Sequence, residues 1–528
     1  MAVTSRLLGA SGVVIVGVVM AAVLGQLPAV GAEDHAIVAT PSSPVQRLVC
    51  PGSPVAVGAA GQKASTLSAD GSPSRHIGVA RSGSVTARTL GGGAVKGGSS
   101  TSPRLFTAPA ADAKHGAIAG AQSQTVTTGD ASGLAASACT VPVNTAWVAA
   151  GSTTTGRTTV LTLANASSVP AQVSLAVWTE NGRIQTAGGS EVLVGARSRL
   201  ALSLASIAPG AAGTAVEVTS TGGQLGVAIE QRVVRGLESG GLDLTGPTAA
   251  PATRQVITGV RIANASAVAA ASATTGYGDL LPVLRLLAPG TKAADVRVSI
   301  TGSSGSGHKV LSRRIDAGKV TDVTLPGLTD GVYSLDVQSS QPVVTGARVA
   351  TVTDASASTT DTGTTVGGTT TGASGTAGTD GSVAGGTSTG TDSGLVGGSG
   401  TTNAASGMNT AATTATTATA RGIDLAWIAA ADPLGPSATV AVADGPGATL
   451  SFANPTDHAV SVKVAGVGGS TVQVPAGGTA VTGVHAGLGT LSGGSGLRAA
   501  VSYAGSGALA AYPVTPADQA AHPVRVTH

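Results

Sequence analysis

The chain has 528 residues, room for three or four domains at roughly 150 residues each, and its 78 glycines, 2% aromatics and 10% charged residues leave Val, Leu, Ile and Ala to build the cores. Its net charge of +3 comes from 29 Lys and Arg that are scattered rather than clustered, which removes the concentrated basic face that a phosphate backbone requires. With few aromatics left to stack bases, nucleic acid is excluded as a partner.

Residues 1–32 read as a signal peptide or a membrane anchor. Arg6 is the only charge before the apolar run 7–27, whose densest part is VVIVGVVMAAVL at 13–24. A cleaved secretory signal needs such a run followed by small residues, and AVGA at 29–32 supplies them. An uncleaved anchor needs about 20 apolar residues. The run is long for a signal and short for a comfortable span, and we favour the anchor. Both readings place everything after residue 33 outside the cytoplasm. The product is a single-pass protein held in the cell membrane by its N-terminal helix, or a secreted one if the signal is cut. No later stretch is apolar enough to span.

Residues 33–140 form a loop-rich lead-in with short apolar pieces at 47–50, 84–90 and 117–127, expected to pack on the first module. The two cysteines of the chain, Cys50 and Cys139, bracket it. An even count in an exported chain implies one disulfide. It closes a loop of about 90 residues, worth roughly 4–5 kcal/mol on the chain-entropy account. No His or Cys stands near either at metal-ligand spacing, and Cys50 lies too far past the apolar run for a lipid-modified cysteine.

A repeat follows. Residues 161–175 (LTLANASSVPAQVSL), 284–298 (LRLLAPGTKAADVRV) and 450–464 (LSFANPTDHAVSVKV) carry apolar residues at matched positions. These are Leu161, Leu284 and Leu450; Leu163, Leu286 and Phe452; Val173, Val296 and Val462; Leu175, Val298 and Val464. Within each half the spacing is two, the period of a strand with one buried face, and the residues between are turn formers. Three modules result, at 141–250, 251–354 and 421–518. Each has seven or so short strands at the spacing of an antiparallel β-sandwich of immunoglobulin-like type, although the antibody Cys…Trp…Cys signature is absent. Weaker echoes join VGARS (194–198), IDAGK (315–319) and VPAGG (474–478), then AVEVTS (215–220), YSLDVQ (333–338) and RAAVSY (498–503). Trp147-Val148-Ala149-Ala150 is echoed by Trp427-Ile428-Ala429-Ala430. The fold class is therefore all-β. Residues 355–420, almost wholly Thr, Gly, Ser and Ala, read as a disordered linker. Its ends average roughly 45 Å apart, so the third module is expected to float on a tether. Residues 519–528 are a tail.

The runs LVCPGSP (48–54), ASGLAASACTVPVNTAWVAAGSTTTGRTTVLTLAN (131–165) and QRVVRGLESGGLDLTGP (231–247) resemble an uncharacterised actinobacterial family of exported proteins, domain of unknown function 5719. LPVLRLLAPG and the WIAAA module are similar to its C-terminal half. The resemblance covers most of the chain from residue 45, apart from 355–420. It implies a signal-anchored envelope protein and no activity.

The chemistry-bearing residues favour no catalytic centre, cofactor or metal. GSTTTGRT at 151–158 nearly matches the phosphate loop, but Arg157 replaces the Lys and a strand, TVLTLAN, follows where a helix is needed to face the phosphates. A hairpin turn is the plainer reading, and no nucleotide is expected. The eight His are dispersed: His35, His76, His115, His308, His458, His485, His522 and His528. Glu180, Glu217, Glu230, Asp295, Asp322 and Asp336 sit mostly on alternating strand positions, as solvent-face residues do. Trp147, Trp178 and Trp427 are sugar platforms or, for Trp147 and Trp427, packing anchors on their modules' first strands. Glu230, Arg232 and Arg235 make the densest charged cluster in a strand, either an interdomain salt-bridge set or an interaction edge. The expected function is a non-enzymatic envelope protein presenting tandem modules for interaction or scaffolding, with envelope proteins or cell-wall glycan as partners. The alternatives are an accessory glycan-binding protein and, with less support, an extracytoplasmic hydrolase.

Overall fold

The computed structural model describes residues 45–353 and 422–515, except 59–66, 81–82, 93–94, 112–115, 129–130, 186–190 and 304–308, together with the backbone of Ile37–Ala39 and Val524–Val526. The expected signal or anchor, the expected linker at 355–420 and most of the tail lie outside the described residues. Among the described residues the chain is nearly all β, with one short α-helix, Ala265–Ser272, and two single-turn 3-10 helices, Leu204–Ser206 and Gly278–Leu280. None of their helices is long and apolar enough to cross a membrane.

The three repeats share one strand order. In the first, one sheet runs Thr145–Val148, Thr214–Gly222, Ala171–Thr179 and Glu191–Val194, and its companion runs Arg199–Ser203, Arg157–Asn165, Leu225–Arg235 and Glu238–Thr245. The third repeats this with Ser437–Val442, Gly487–Ser492, Val460–Ala465 and Ser470–Val474, then Thr479–Gly483, Thr449–Ala453, Arg498–Gly505 and Ala508–Pro513. In the second, the 23-residue strand Gly331–Thr353 serves both sheets. Its first half pairs with Ala252–Ile262 and Ala294–Gly302, its second half with Val283–Leu287 and Gly422–Ala429. Lys309–Ile315 and Val320–Thr324 each form one edge of their sheets, opposite Ala252–Ile262 and Gly422–Ala429.

The matched apolar positions are what these sheets bury. Leu161 lies opposite Ile229, Leu284 opposite Ala347 and Leu450 opposite Val501, and all three side chains are fully enclosed. Val173, Val296 and Val462 are equally buried from the other sheet, while their neighbours Gln172 and Lys463 are exposed. Burying one such side chain is worth roughly 1.5–3 kcal/mol. A one-residue slip would turn the whole set outward, so the pattern fixes the register.

The tether is corrected. Gly422–Ala429 pairs in register with the end of Gly331–Thr353 and closes the second module's sheet. The strand thus holds the place of Glu238–Thr245 and Ala508–Pro513, and the third module begins only after it. Trp427 therefore lies on a closing strand and Trp147 on an opening one. Their shared Trp-x-Ala-Ala run is a coincidence of two buried apolar strands, not a repeat. The late-strand echo is corrected too. Val218 faces Leu175, Val337 faces Val298 and Leu491 faces Val464, so the equivalent stretches are 215–220, 334–339 and 488–493. Residues 498–503 belong to the next strand along, because short Ala/Val strands read alike.

The lead-in holds three small sheets: Gln46–Cys50 with Arg104–Ala108 and Thr86–Thr89, Ser74–Val79 with Ile118–Thr128 and Ala131–Ala138, and Val55–Val57 with Leu67–Ala69 and Val95–Lys96. Cys50 and Cys139 form a disulfide. Val49, Leu90 and Leu105 pack on Ala164 and Ala166 of the first module. Ala119, Ala121, Leu134 and Ala136 also enter the core of the third, a contact that the sequence reading did not foresee.

Candidate functional site at the module seams

Polar chemistry in this molecule gathers where modules meet. At the centre is Asp424, fully buried on Gly422–Ala429. Its Oδ1 accepts the amides of Leu242 (3.2 Å) and Leu425 (2.9 Å), and its Oδ2 accepts those of Leu134 (2.9 Å) and Leu509 (2.8 Å). One carboxylate thus ties the lead-in, the first module, the second and the third. Gly133 and Gly241 make this approach possible, since a Cβ on Gly133 would fall 2.2 Å from Oδ1 and one on Gly241 2.8 Å from the Asp424 Cα. Burial pushes the Asp424 carboxyl well up, and the four amides pull it back toward the ionised form.

The sequence cluster Glu230, Arg232 and Arg235 faces inward or along seams. Glu230 and Arg232 are buried. Glu230 Oε2 accepts the Val55 amide at 2.5 Å, Oε1 accepts Arg232 Nε at 2.7 Å, and Arg232 reaches on to Asp70. The cluster therefore clasps the lead-in to the first module. Burial raises the Glu230 carboxyl to about 8 and lowers Arg232 to about 10. Arg235 and Arg157 both hold Asp279 of the second module, at 2.7 and 2.6 Å. Burial favours the neutral acid there, but the two guanidinium groups win and keep Asp279 below its ordinary value.

A second seam network surrounds Trp427. Its indole donates to Gln231 Oε1 at 2.5 Å, its backbone amide to Asp243 Oδ2 at 2.8 Å, and Arg285 lies 4.4 Å from its ring centroid. Arg285 is fully buried, bidentate to Asp322 at 2.8 and 2.9 Å, and donates to the Gly151 and Thr214 carbonyls of the first module. Glu230 is buried in a seam, which corrects its solvent-face reading, whereas Asp322 keeps an exposed position while it holds Arg285.

The other two tryptophans meet on the outer face of the first module. Trp147 and Trp178 stack at 5.3 Å with 27° between planes, and Arg183 lies 5.4 Å from the Trp178 centroid. They floor a groove of about 430 Å³ rimmed by Arg183, Glu217 and Lys292 and walled by Pro289 and Pro342 of the second module. Among the described residues, the side chains of Arg183, Glu217 and Lys292 take no hydrogen-bond or ion-pair partner, the Arg183 guanidinium resting on the Trp178 ring. Burial raises the Glu217 carboxyl and Arg183 draws it back. Trp147 is the packing anchor expected on its module's first strand, and the cluster it is buried in, with Trp178, Leu287 and Val344, spans the first and second modules. A second cleft, about 300 Å³, opens between Val143, Trp147, Thr248, Asp432 and Val514.

The remaining motifs carry less. GSTTTGRT crosses from one sheet of the first module to the other, since Thr145–Val148 and Arg157–Asn165 lie in different sheets, so it is not a hairpin turn. Ser152 and Thr159 bond within it, and a strand follows. Among the described histidines, His76 bonds Asp444, His458 bonds Asp457 and His485 bonds the Ala486 carbonyl; the other five lie outside the described residues. The described residues contain no group of three or more His, Cys, Asp or Glu placed to hold a metal ion.

A family model described as a family of unknown function, DUF5719, matches residues 94–420, well over half of the chain. The span contains the stretches 131–165 and 231–247 and leaves out 48–54 and everything from Gly422. No curated protein and no solved structure matches.

Proposed function

The chain belongs to the DUF5719 family of unknown function, and from that premise we propose that it is a non-enzymatic envelope protein. It holds tandem immunoglobulin-like β-sandwich modules outside the membrane as a scaffold for other envelope components. The N-terminal run 7–27 delivers it there as anchor or cleaved signal. What supports a scaffold is the Asp424 knot. A carboxylate buried under four amides from four parts of the chain opposes hinge motion between the parts, because each broken amide bond leaves a buried donor unpaired. Cell-wall glycan is the second reading for the partner, and the groove over Trp147 and Trp178 favours it.

The test is fractionation and affinity capture with the full chain. A fragment ending at 354 is unsuitable because it lacks the closing strand Gly422–Ala429. The chain is expected in the membrane or outer fraction, retaining envelope protein or wall glycan. Recovery in the cytosol with nothing retained would sink the proposal.

A further inference from the structure

The repeat supplies its own control for the tryptophan groove. The second and third modules each set the loop after their second strand against the outer face of the module before. Pairing registers make the two seams comparable residue by residue. Trp147 lies opposite Glu217 and Val256 opposite Asp336, while Trp178 lies opposite Ala215 and Thr301 opposite Ser334. The seam between the first and second modules is built from Trp147, Trp178, Glu217 and Pro289. The seam between the second and third is built from Val256, Thr301, Asp336 and Pro455.

The two seams end differently. Between the second and third modules the space closes to about 20 Å³. Its acid, Asp336, is gripped by Arg254 at 3.0 and 2.6 Å, and Arg254 also donates to the Pro455 carbonyl at 2.7 Å. Between the first and second modules about 430 Å³ stays open, although the residues there are larger. Among the described residues, the matching acid, Glu217, feels the charge of Arg183 but is gripped by no cation, and the side chains of Arg183 and Lys292 bond no carboxylate. The fold can close this seam and pair its charges, and at one of two places it does not.

We propose that the groove floored by Trp147 and Trp178 is a binding site for an acidic sugar, a hexose bearing a carboxylate or a phosphate. Arg183 and Lys292 take the acidic group, since charged donors to anionic oxygens form the stronger hydrogen bonds. Glu217 accepts hydroxyl donors. The rings are nearly buried, so they give an apolar strip for the C–H face of the sugar, and most of the affinity comes from the rim. The site rests on the glycan reading of the partner and names its chemical class.

The test is titration of the full chain with cellobiouronic acid, glucose 6-phosphate and neutral cellobiose, followed by calorimetry and tryptophan fluorescence. One or both acidic sugars should bind at least about tenfold more tightly than cellobiose, the factor one charge-assisted bond supplies, and the better of the two identifies the acidic group. Arg183→Gln and Lys292→Gln each remove that preference. Both side chains are exposed, so the thermal midpoint of each variant stays at that of the parent. Equal binding of cellobiose, unchanged binding by the variants, or no binding of any sugar overturns the site. If the sugars fail while the chain still retains envelope material, the groove falls and the scaffold stands.

Discussion

Thr353 and Gly422 face each other as partners in one antiparallel ladder, and the Thr353 hydroxyl donates to the Gly422 carbonyl at 3.2 Å. Residues 354–421 are therefore an excursion from a hairpin, not a spacer between modules. Their composition reads as a linker, and composition carries no information about where a chain returns.

Because the excursion starts and ends at neighbouring positions, it should be removable. Replacing residues 354–421 with an Asn-Gly turn, which suits a tight hairpin, should leave the thermal midpoint within a few degrees and Asp424 in place. Shortening a closed loop also lowers its entropy cost slightly. A variant that unfolds, or in which the third module separates on limited proteolysis, would return 422–429 to the third module.

Asp424 should be among the most sensitive positions in the chain. Asp424→Ala leaves four buried amides unpaired, and a loss of at least about 3–5 kcal/mol is expected. Asp424→Asn keeps one acceptor oxygen and sets an amide donor against donors, so it should fare little better. Gly241→Ala should be nearly as costly, since its φ of +101° disfavours a side chain and the new Cβ would meet the Asp424 backbone. Denaturant midpoints near the parent value for Asp424→Ala would show that the four bonds do not hold the modules together.

Much of the fold was legible in the sequence because it rests on period-two burial. Leu161, Leu284 and Leu450 announce the same strand three times, and the structure buries all three. The seams were not legible. Asp424 stands alone in an apolar strand, and the matching ladder position of the third module holds Ala508. No repeat could flag it, and its partners lie up to 290 positions away. The groove was half visible. Trp147 and Trp178 were noted, but a buried tryptophan at a seam and one in a core share the same alternation. Only the pairing partners of Glu217 and Asp336 distinguish an open seam from a closed one.

Stability should fall as pH rises from about 5 to about 8. Burial raises the Glu230 carboxyl from its ordinary 4.5 to about 8 and the Asp243 carboxyl from 3.8 to about 8. Over that window the native chain keeps protons that the unfolded chain has released. The stabilisation is complete below the ordinary values and is lost as pH climbs through the raised ones, at up to about 1.4 kcal/mol per pH unit for each group. Glu230→Gln and Asp243→Asn should each flatten the slope measured by thermal unfolding at low salt. A midpoint that climbs over the same range would mean that Arg232 and the Val55 amide keep Glu230 ionised.

The shared register of the modules makes paired predictions at positions one residue apart. Val173→Ala and Val462→Ala remove fully buried methyl groups from the first and third modules and should each cost about 2–3 kcal/mol, by lost burial and the cavity left behind. Gln172→Ala and Lys463→Ala, on the solvent side of the same strands, should stay within about 0.5 kcal/mol. Because these pairs sit in one compact unit, each buried change should shift a single cooperative denaturant transition rather than split it. Two separate transitions in the Val462→Ala variant would mean that the third module unfolds alone, and that the Asp424 knot couples it to the rest only weakly.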